Sequence, residues 1–167
     1  MKYLLISACM LGLVPMAHAG DITIQFSEKF SEKLTDELGE REGETLKKYL
    51  TKDLTQSFGA SLETYGDIKV TIIDAKANRP TFKELGDTPG LSMSSFGIGG
   101  ASLKGEVYSV DGELLATTEF KDYETDIRYA RGQATWSDAK RTFDRFARKL
   151  AKAATENQEK LGEDTKS

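Results

Sequence analysis

The hydrophobic and polar positions change their period along this chain, and the changes mark the predicted elements. Residues 21–26 (DITIQF) alternate polar side chains with β-branched or other apolar ones, which predicts a half-buried strand. From residue 44 the apolar positions recur at helical spacing until Gly59 closes the pattern, which predicts a helix over about 42–58. Between these elements, residues 30–38 place apolar side chains four apart among many charges, and either a short helix or an extended loop fits them.

The middle of the chain predicts a strand, a long loop and a hairpin. Residues 68–74 carry apolar side chains at alternate positions and form the strongest predicted strand. Residues 75–99 lack a clear period, and structureless loops longer than about 12–15 residues are usually functional or disordered. Strands are then predicted at 103–110 and 113–121, because Asp111-Gly112 between two apolar runs is a strong hairpin signal.

The clearest amphipathic pattern lies near the end of the chain. Thr135 is a suitable helix N-cap, and Asp138 stands three residues later in the position of a capping box. One continuous apolar face then predicts a helix over 136–156. Residues 157–167 are polar, have no apolar face and are predicted to form a disordered tail.

Together these elements predict an α+β fold, in which a small twisted, mainly antiparallel sheet packs against two long helices. We place this single domain at residues 20–156, which is long enough to bury a substantial core.

The first nineteen residues have the layout of a secretory signal peptide. Met1-Lys2 provides a positive start, residues 3–14 are almost uncharged and apolar, and Ala17-His18-Ala19 reads as a small-x-small cleavage site. The apolar run of about 12 residues is shorter than the roughly 20 that span a bilayer. Export to the periplasm and cleavage after Ala19 are therefore predicted. Anchoring through Cys9 is disfavoured, because its lipoprotein-like box lies inside the apolar run rather than after it.

Composition excludes several chemistries from the predicted mature chain. The sequence has one cysteine, Cys9, and one histidine, His18, and both lie in the predicted signal. Cysteine nucleophiles, serine–histidine dyads, disulfides and zinc sites with His or Cys ligands are thereby excluded, and no metal or cofactor is predicted. The chain carries 23 Lys+Arg and 27 Asp+Glu, and loss of Lys2 leaves 22 against 27. An acidic domain lacks the basic surplus of a nucleic-acid binder.

The loop at 90–100 and the turn before it hold the first candidate binding residues. Gly97, Gly99 and Gly100 suit a mobile loop or a partner contact better than a phosphate loop, because a strand rather than a helix follows them. Met93 and Phe96 are apolar side chains among small residues, and they either pack on the core or face a partner. Arg79 follows the strongest strand and suits a carboxylate or anionic ligand, unless its segment is only a strand-ending turn.

An aromatic and basic patch precedes the last helix. Its candidate residues are Tyr123, Arg128, Tyr129 and Trp136, and such residue types commonly anchor protein interfaces. Trp136 equally suits a core position beneath the helix start.

Two charged patterns are interpreted mainly as solvated surface. Asp122, Glu124 and Asp126 alternate along a possible strand and suit either a calcium site or a charged strand edge. A basic stripe on the last helix suits anionic lipid or solvent; it comprises Arg141, Arg145, Arg148 and Lys152.

Four stretches carry a family resemblance: residues 68–74, the small-residue segment 95–101, the hairpin around Asp111-Gly112, and residues 135–139 leading into the last helix. Over roughly 68–150 the chain resembles uncharacterised exported bacterial proteins whose layout is similar to the lipoprotein-assembly α/β domains of curli-secretion proteins and of the N-terminal domain of TolB. The resemblance implies a binding or assembly role in the cell envelope, and no functional residues carry over.

The leading functional hypothesis is therefore a soluble, non-catalytic periplasmic module that binds an envelope protein through loop 90–100 and the patch at 123–136. The alternative is a binder of a small ligand or lipid, with residues 75–100 as a lid over the sheet. A hydrolase using the alternating carboxylates ranks last, because no pair of them has a spacing that forces the two side chains together.

Overall fold

The computed structural model describes residues 20–164, and only the backbone of residues 162–164. The predicted signal peptide and Cys9 lie outside the described residues. In chain order the elements are β1 (Ile22–Phe26), α1 (Glu28–Lys33), α2 (Glu40–Phe58), β2 (Ile68–Lys76), α3 (Phe82–Asp87), β3 (Gly100–Tyr108), β4 (Leu114–Tyr123) and α4 (Ser137–Asp164). Shorter π-helical and 3-10 segments join them at Leu34–Leu38, Gly59–Thr64 and Ile127–Tyr129.

The four strands form one sheet in the order β1-β2-β3-β4. The β2–β3 and β3–β4 pairs are antiparallel, whereas β1 runs parallel to β2. A parallel neighbour requires a crossover, which α1 and α2 provide. The predicted α+β class is confirmed, and the sheet is mixed.

The two long helices, α2 and α4, pack against each other, and α4 also lies on β3 and β4. Val70, Leu103 and Val107 of the sheet and Phe146 of α4 are fully buried in one core cluster. Gly105 permits the close approach, because a Cβ atom there would stand 2.7 Å from the Phe146 ring.

The predicted strands agree with the structure, and the predicted hairpin forms. Ser109 N–H donates to the Glu113 carbonyl across the turn, and Gly112 has a φ of +84°. Residues 28–38 are helical rather than extended. Gly39 ends this first segment with a φ of +98°, whereas Gly43 lies inside α2, packed against neighbouring apolar side chains.

The bounds of α4 differ from the prediction at both ends. The helix begins at Ser137, where the Trp136 carbonyl accepts from Lys140 N–H, so Thr135 is not the cap. The Asp138 carboxylate accepts hydrogen bonds from other segments instead of closing a capping box. The helix continues to Asp164 and includes residues that the sequence assigns to the polar tail.

The predicted long loop contains helix α3. Its start is a capping box in which Glu84 N–H donates to Thr81 Oγ1 and Thr81 N–H donates to the Glu84 carboxylate. This Thr-x-x-Glu pattern is visible in the sequence, but six residues are too few to show a helical period. Within residues 20–164, none of the helices has the length and apolar character needed to cross a lipid bilayer.

Candidate binding site

Asn78 ties together the segments that carry the candidate residues. It follows β2 and is fully buried. Its Nδ2 donates to the Gly97 carbonyl and to Asp138 Oδ2, and its Oδ1 accepts from Asp138 N–H. Its backbone N–H donates to the Thr135 carbonyl, and its carbonyl accepts from Gly97 N–H. The exit of β2, the end of the loop and the start of α4 are therefore joined at one residue.

Asp138 completes this network from the first turn of α4. It is buried, and Oδ2 also accepts from Gly99 N–H at 3.1 Å. Arg141 stands 3.3 Å from Oδ1, so the carboxylate is both hydrogen-bonded and charge-paired. This pair has no signal in the sequence, because no local pattern reports a contact between residues 60 positions apart.

Arg79 lies next to this anchor. All seven arginines fall within the described residues, and Arg79 alone among them is not exposed. Its Nε donates to the Gln133 carbonyl and its Nη1 to the Met93 carbonyl. In the described part of the chain, no carboxylate oxygen lies within 4.0 Å of its guanidinium. The side chain is thus held by two neutral acceptors and has no direct ion-pair partner among the described residues.

Two shallow clefts flank Arg79 and Pro80. The first, of about 330 Å³, lies towards Leu91 and Phe96 and also includes Lys33, Lys76 and Glu84. The second, of about 380 Å³, lies towards helix α3 and is lined by Glu42, Arg79, Pro80, Thr81, Phe82, Leu85, Met93, Ala134 and Thr135. Arg79 and Pro80 are the residues shared by both linings.

Exposed apolar side chains line these two clefts. Phe82 is 74 % exposed, Met93 64 %, Phe96 45 % and Leu91 36 %. The sequence allowed Met93 and Phe96 either to pack on the core or to face a partner. In the structure both side chains are exposed rather than packed in the core. Phe82 and Leu91 were missed, because each is a single apolar residue in a segment without a clear period.

The aromatic and basic patch does not form one surface. Trp136 is buried, and its Nε1 donates to a Glu42 carboxylate oxygen. Tyr123 is half-buried, and its hydroxyl donates to Asp74. Burial is the larger cause and the hydrogen bond to Asp74 the smaller cause of the raised pKa of this hydroxyl. Arg128 and Tyr129 are exposed on the 3-10 segment beyond β4.

The alternating carboxylates each have a partner. Asp122 pairs with Arg145 of α4, and Asp126 pairs with Arg128, which lowers the pKa of that aspartate. The Glu124 carboxylate accepts from the backbone N–H groups of Thr125 and Asp126, which follow it in the chain. Among residues 20–164 there is no group of three or more acidic, His or Cys side chains placed to hold a metal ion.

The basic stripe of α4 is neutralised along its length by ion pairs. They are Arg141–Asp138, Arg145–Asp122, Arg148–Asp144 and Lys152–Glu156. A lipid surface would have to compete with these carboxylates, so the stripe suits solvent better than lipid.

One buried carboxylate lies away from the clefts, where α2 meets α4. Asp53 is 9 % exposed, and its Oδ2 has no hydrogen-bond partner. Burial, followed by the nearby charge of Asp144, raises its pKa. Asp53 has no signal in the sequence, because its position resembles that of any charged residue on an amphipathic helix.

No family model matches this chain, and a search of curated proteins found no match either. The resemblance to envelope assembly domains stays a prediction. The candidate site is consequently defined by geometry alone: Arg79, Met93 and Phe96 come together at the clefts, and the patch at 123–136 remains separate.

Proposed function

We propose that this protein is a non-catalytic binding module of the bacterial cell envelope. Its clefts take a short segment of another envelope protein that presents apolar side chains beside a carboxylate. The observation that carries the proposal is Arg79, half-buried without a carboxylate partner between two apolar clefts.

The charge of Arg79 explains why the occupant should be acidic. Arginine is suited to bidentate recognition of carboxylates, and such charge-assisted hydrogen bonds are stronger than neutral ones. Its Nε and Nη1 are held by backbone carbonyls, so the guanidinium is oriented before any ligand arrives. An oriented group loses less conformational freedom on binding.

The exposed apolar residues supply the second requirement. Aromatic and methionine side chains are enriched in protein interfaces, and a site of this kind binds through a few anchors seated in pockets. Phe82 and Met93 border one cleft and Phe96 the other. Because Asn78 holds the loop end, these anchors stand on a fixed base rather than on a wholly free loop.

A random peptide library selected against the immobilised protein tests this chemistry. We expect the enriched peptides to place Asp, Glu or the C-terminal carboxylate beside aromatic or aliphatic residues. Selection against the Arg79→Met variant should lose the acidic preference and keep the apolar one. Arg145→Met is the matched control, because that arginine is paired with Asp122 and lies on α4.

Two outcomes would count against the proposal. One is the absence of any consensus among peptides selected by the unmodified protein. The other is the same acidic consensus from the Arg79→Met variant, which would place the binding site elsewhere.

A small anionic amphiphile is the second candidate, favoured by cleft volumes that reach the lower range of small-molecule sites. Dodecanoate is a suitable probe, because it combines a carboxylate with an apolar chain. A rise in melting temperature with dodecanoate, lost in Arg79→Met, together with a peptide selection that yields no consensus, would favour this candidate.

The envelope location has its own test. The protein recovered from the periplasm should have the intact mass of residues 20–167, as predicted by cleavage after Ala19. A cytoplasmic protein of full length would contradict export, and a lipid-sized increment that survives denaturation would contradict a free periplasmic module.

A further inference from the structure

The two edges of the sheet are protected very differently. Edge strands expose unpaired backbone groups, and proteins usually protect them with charged residues, bulges or covering side chains. The edge formed by β4 has such protection. Asn157 Nδ2 donates to the Leu115 carbonyl, and Thr142 Oγ1 donates to the Asp122 carbonyl. β4 also carries three charged residues, Glu119, Lys121 and Asp122.

In the part of the chain that the structure describes, the edge formed by β1 has neither charged strand residues nor a side chain bonded to its outward backbone groups. Its sequence ITIQF contains no charge and no proline. Its register with β2 is continuous from Ile22 to Phe26, without a bulge. Among the described residues, no side chain donates to or accepts from the main chain of Ile22, Ile24 or Phe26.

The outward backbone groups of β1 are identified by the pairing with β2. Ile68 N–H donates to the Asp21 carbonyl, and Ser27 N–H donates to the Ile72 carbonyl. Because strand residues alternate in direction, the odd-numbered residues bond to β2. The N–H and C=O groups of Ile22, Ile24 and Phe26 therefore point away from the sheet.

We propose that this edge pairs with the same edge of a second copy of the chain, antiparallel about Ile24. Residues that point outward then meet each other: Ile24 faces its own copy and Ile22 faces Phe26, which allows about six main-chain hydrogen bonds. Such an isologous two-fold contact is the commonest form of homo-oligomer. The product is a continuous eight-stranded sheet, with two copies of each strand.

Charge and side-chain pattern fit this occupant. In the two-fold register Thr23 faces Gln25 on the open side of the sheet, and both side chains are exposed. Asp21 faces Ser27 and Gly20 faces Glu28, so no like charges stand opposite each other. On the opposite face of the sheet, the contact buries more of the partly buried side chains of Ile22, Ile24 and Phe26.

A charge-reversal pair of variants tests both the contact and its register. In Thr23→Glu/Gln25→Glu, acidic residues face each other twice across the two-fold axis. In Thr23→Glu/Gln25→Lys, opposite charges face each other at the same two places. Both variants should fold alike, because each position is exposed and Thr23 lies beside Lys69 in the β1–β2 register.

Sedimentation of the purified full chain should show a dimer for the unmodified protein. Dimerisation of the Glu/Glu variant should be at least about tenfold weaker than that of the Glu/Lys variant. Amide exchange at Ile22, Ile24 and Phe26 should slow as the protein concentration rises. A monomer at high concentration, or equal dimerisation by the two variants, would overturn the proposal. Protection of these amides only when a peptide is added would also overturn it, and would assign the edge to another protein.

Discussion

Arginine occurs in two regions of this molecule, and its surroundings differ sharply between them. On α4, Arg145 and Arg148 are exposed and each lies against a carboxylate. Beside the clefts, Arg79 is half-buried and its N–H groups donate to backbone carbonyls instead. The stripe has the ion pairs of an ordinary solvated surface, whereas Arg79 keeps a charge that a ligand can use. Charge pairing, more than the presence of basic residues, separates a candidate site from a surface.

The difference is not visible from residue types. In the sequence, the stripe has four basic residues and Arg79 stands alone, so a count of charges favours the stripe as the site for an anionic ligand. The structure reverses this order, because the carboxylates that neutralise the stripe come from α4 itself and from the end of β4, as Asp144 and Asp122 show.

The largest effect is expected at Asn78, which joins the two regions. Asn78→Ala removes the Nδ2 donor to the buried Asp138 carboxylate and the Oδ1 acceptor of the Asp138 N–H, so each of these buried groups loses a partner. We expect the free energy of unfolding to fall by about 3 kcal/mol. Urea denaturation checks this. Asn157→Ala, which removes one half-buried hydrogen bond to Leu115, should cost only about 1 kcal/mol. Equal losses in the two variants would contradict a larger contribution of the buried Asn78 network to stability.

Arg79 and Arg145 offer the sharpest form of the comparison. Arg79→Met should weaken the binding of a selected acidic peptide by at least about tenfold, because the peptide carboxylate loses its charged partner. Arg145→Met should leave the affinity unchanged, since its guanidinium is already paired with Asp122. Isothermal titration calorimetry measures both. Similar losses in the two variants would indicate a general effect of net charge.

Asp53 is a buried carboxylate whose charge the cations of α4 offset only in part. Its pKa is raised by burial and by Asp144, so the folded protein holds this proton more tightly than the unfolded chain. Its contribution to stability therefore falls as the pH rises from the unfolded pKa through the folded pKa. Asp53→Asn should stabilise the protein by about 1 kcal/mol at pH 7. Thermal melts should show that this gain shrinks as the pH falls through the raised folded pKa towards the unfolded pKa of about 3.8. A gain independent of pH would contradict the assignment.

The smallest effect is expected from the stripe itself. Arg148→Met removes an exposed pair with Asp144, and such pairs contribute about 0–1 kcal/mol. We expect a change below about 0.5 kcal/mol, further reduced in high salt. A larger loss in chemical denaturation would show that Arg148 also compensates Asp53, which lies nearby.

Periodicity along the chain predicts the elements better than the site. Strand β2, the hairpin at Asp111-Gly112 and both long helices follow from periodicity, because burial of one face leaves a regular pattern. The parallel placement of β1 was not predicted, since alternation along a strand says nothing about its neighbour's direction.

The candidate site was predicted only in part. Arg79, Met93 and Phe96 were recognised as unusual for their segments, and the structure places them together. The anchor between Asn78 and Asp138 joins residues 60 positions apart, which no local pattern reports. Tyr123 and Trp136 were grouped by composition, yet each finds its polar partner inside the protein.

The parallel pairing of β1 with β2 also has a consequence for the order of folding. β2, β3 and β4 follow one another along the chain and pair as antiparallel neighbours, whereas β1 reaches β2 only after residues 27–67 have crossed the sheet. Closing that loop costs entropy before any contact of β1 is gained. We therefore expect β1 to dock late in refolding and to detach early in local unfolding, so that the least protected edge also belongs to the most easily detached strand.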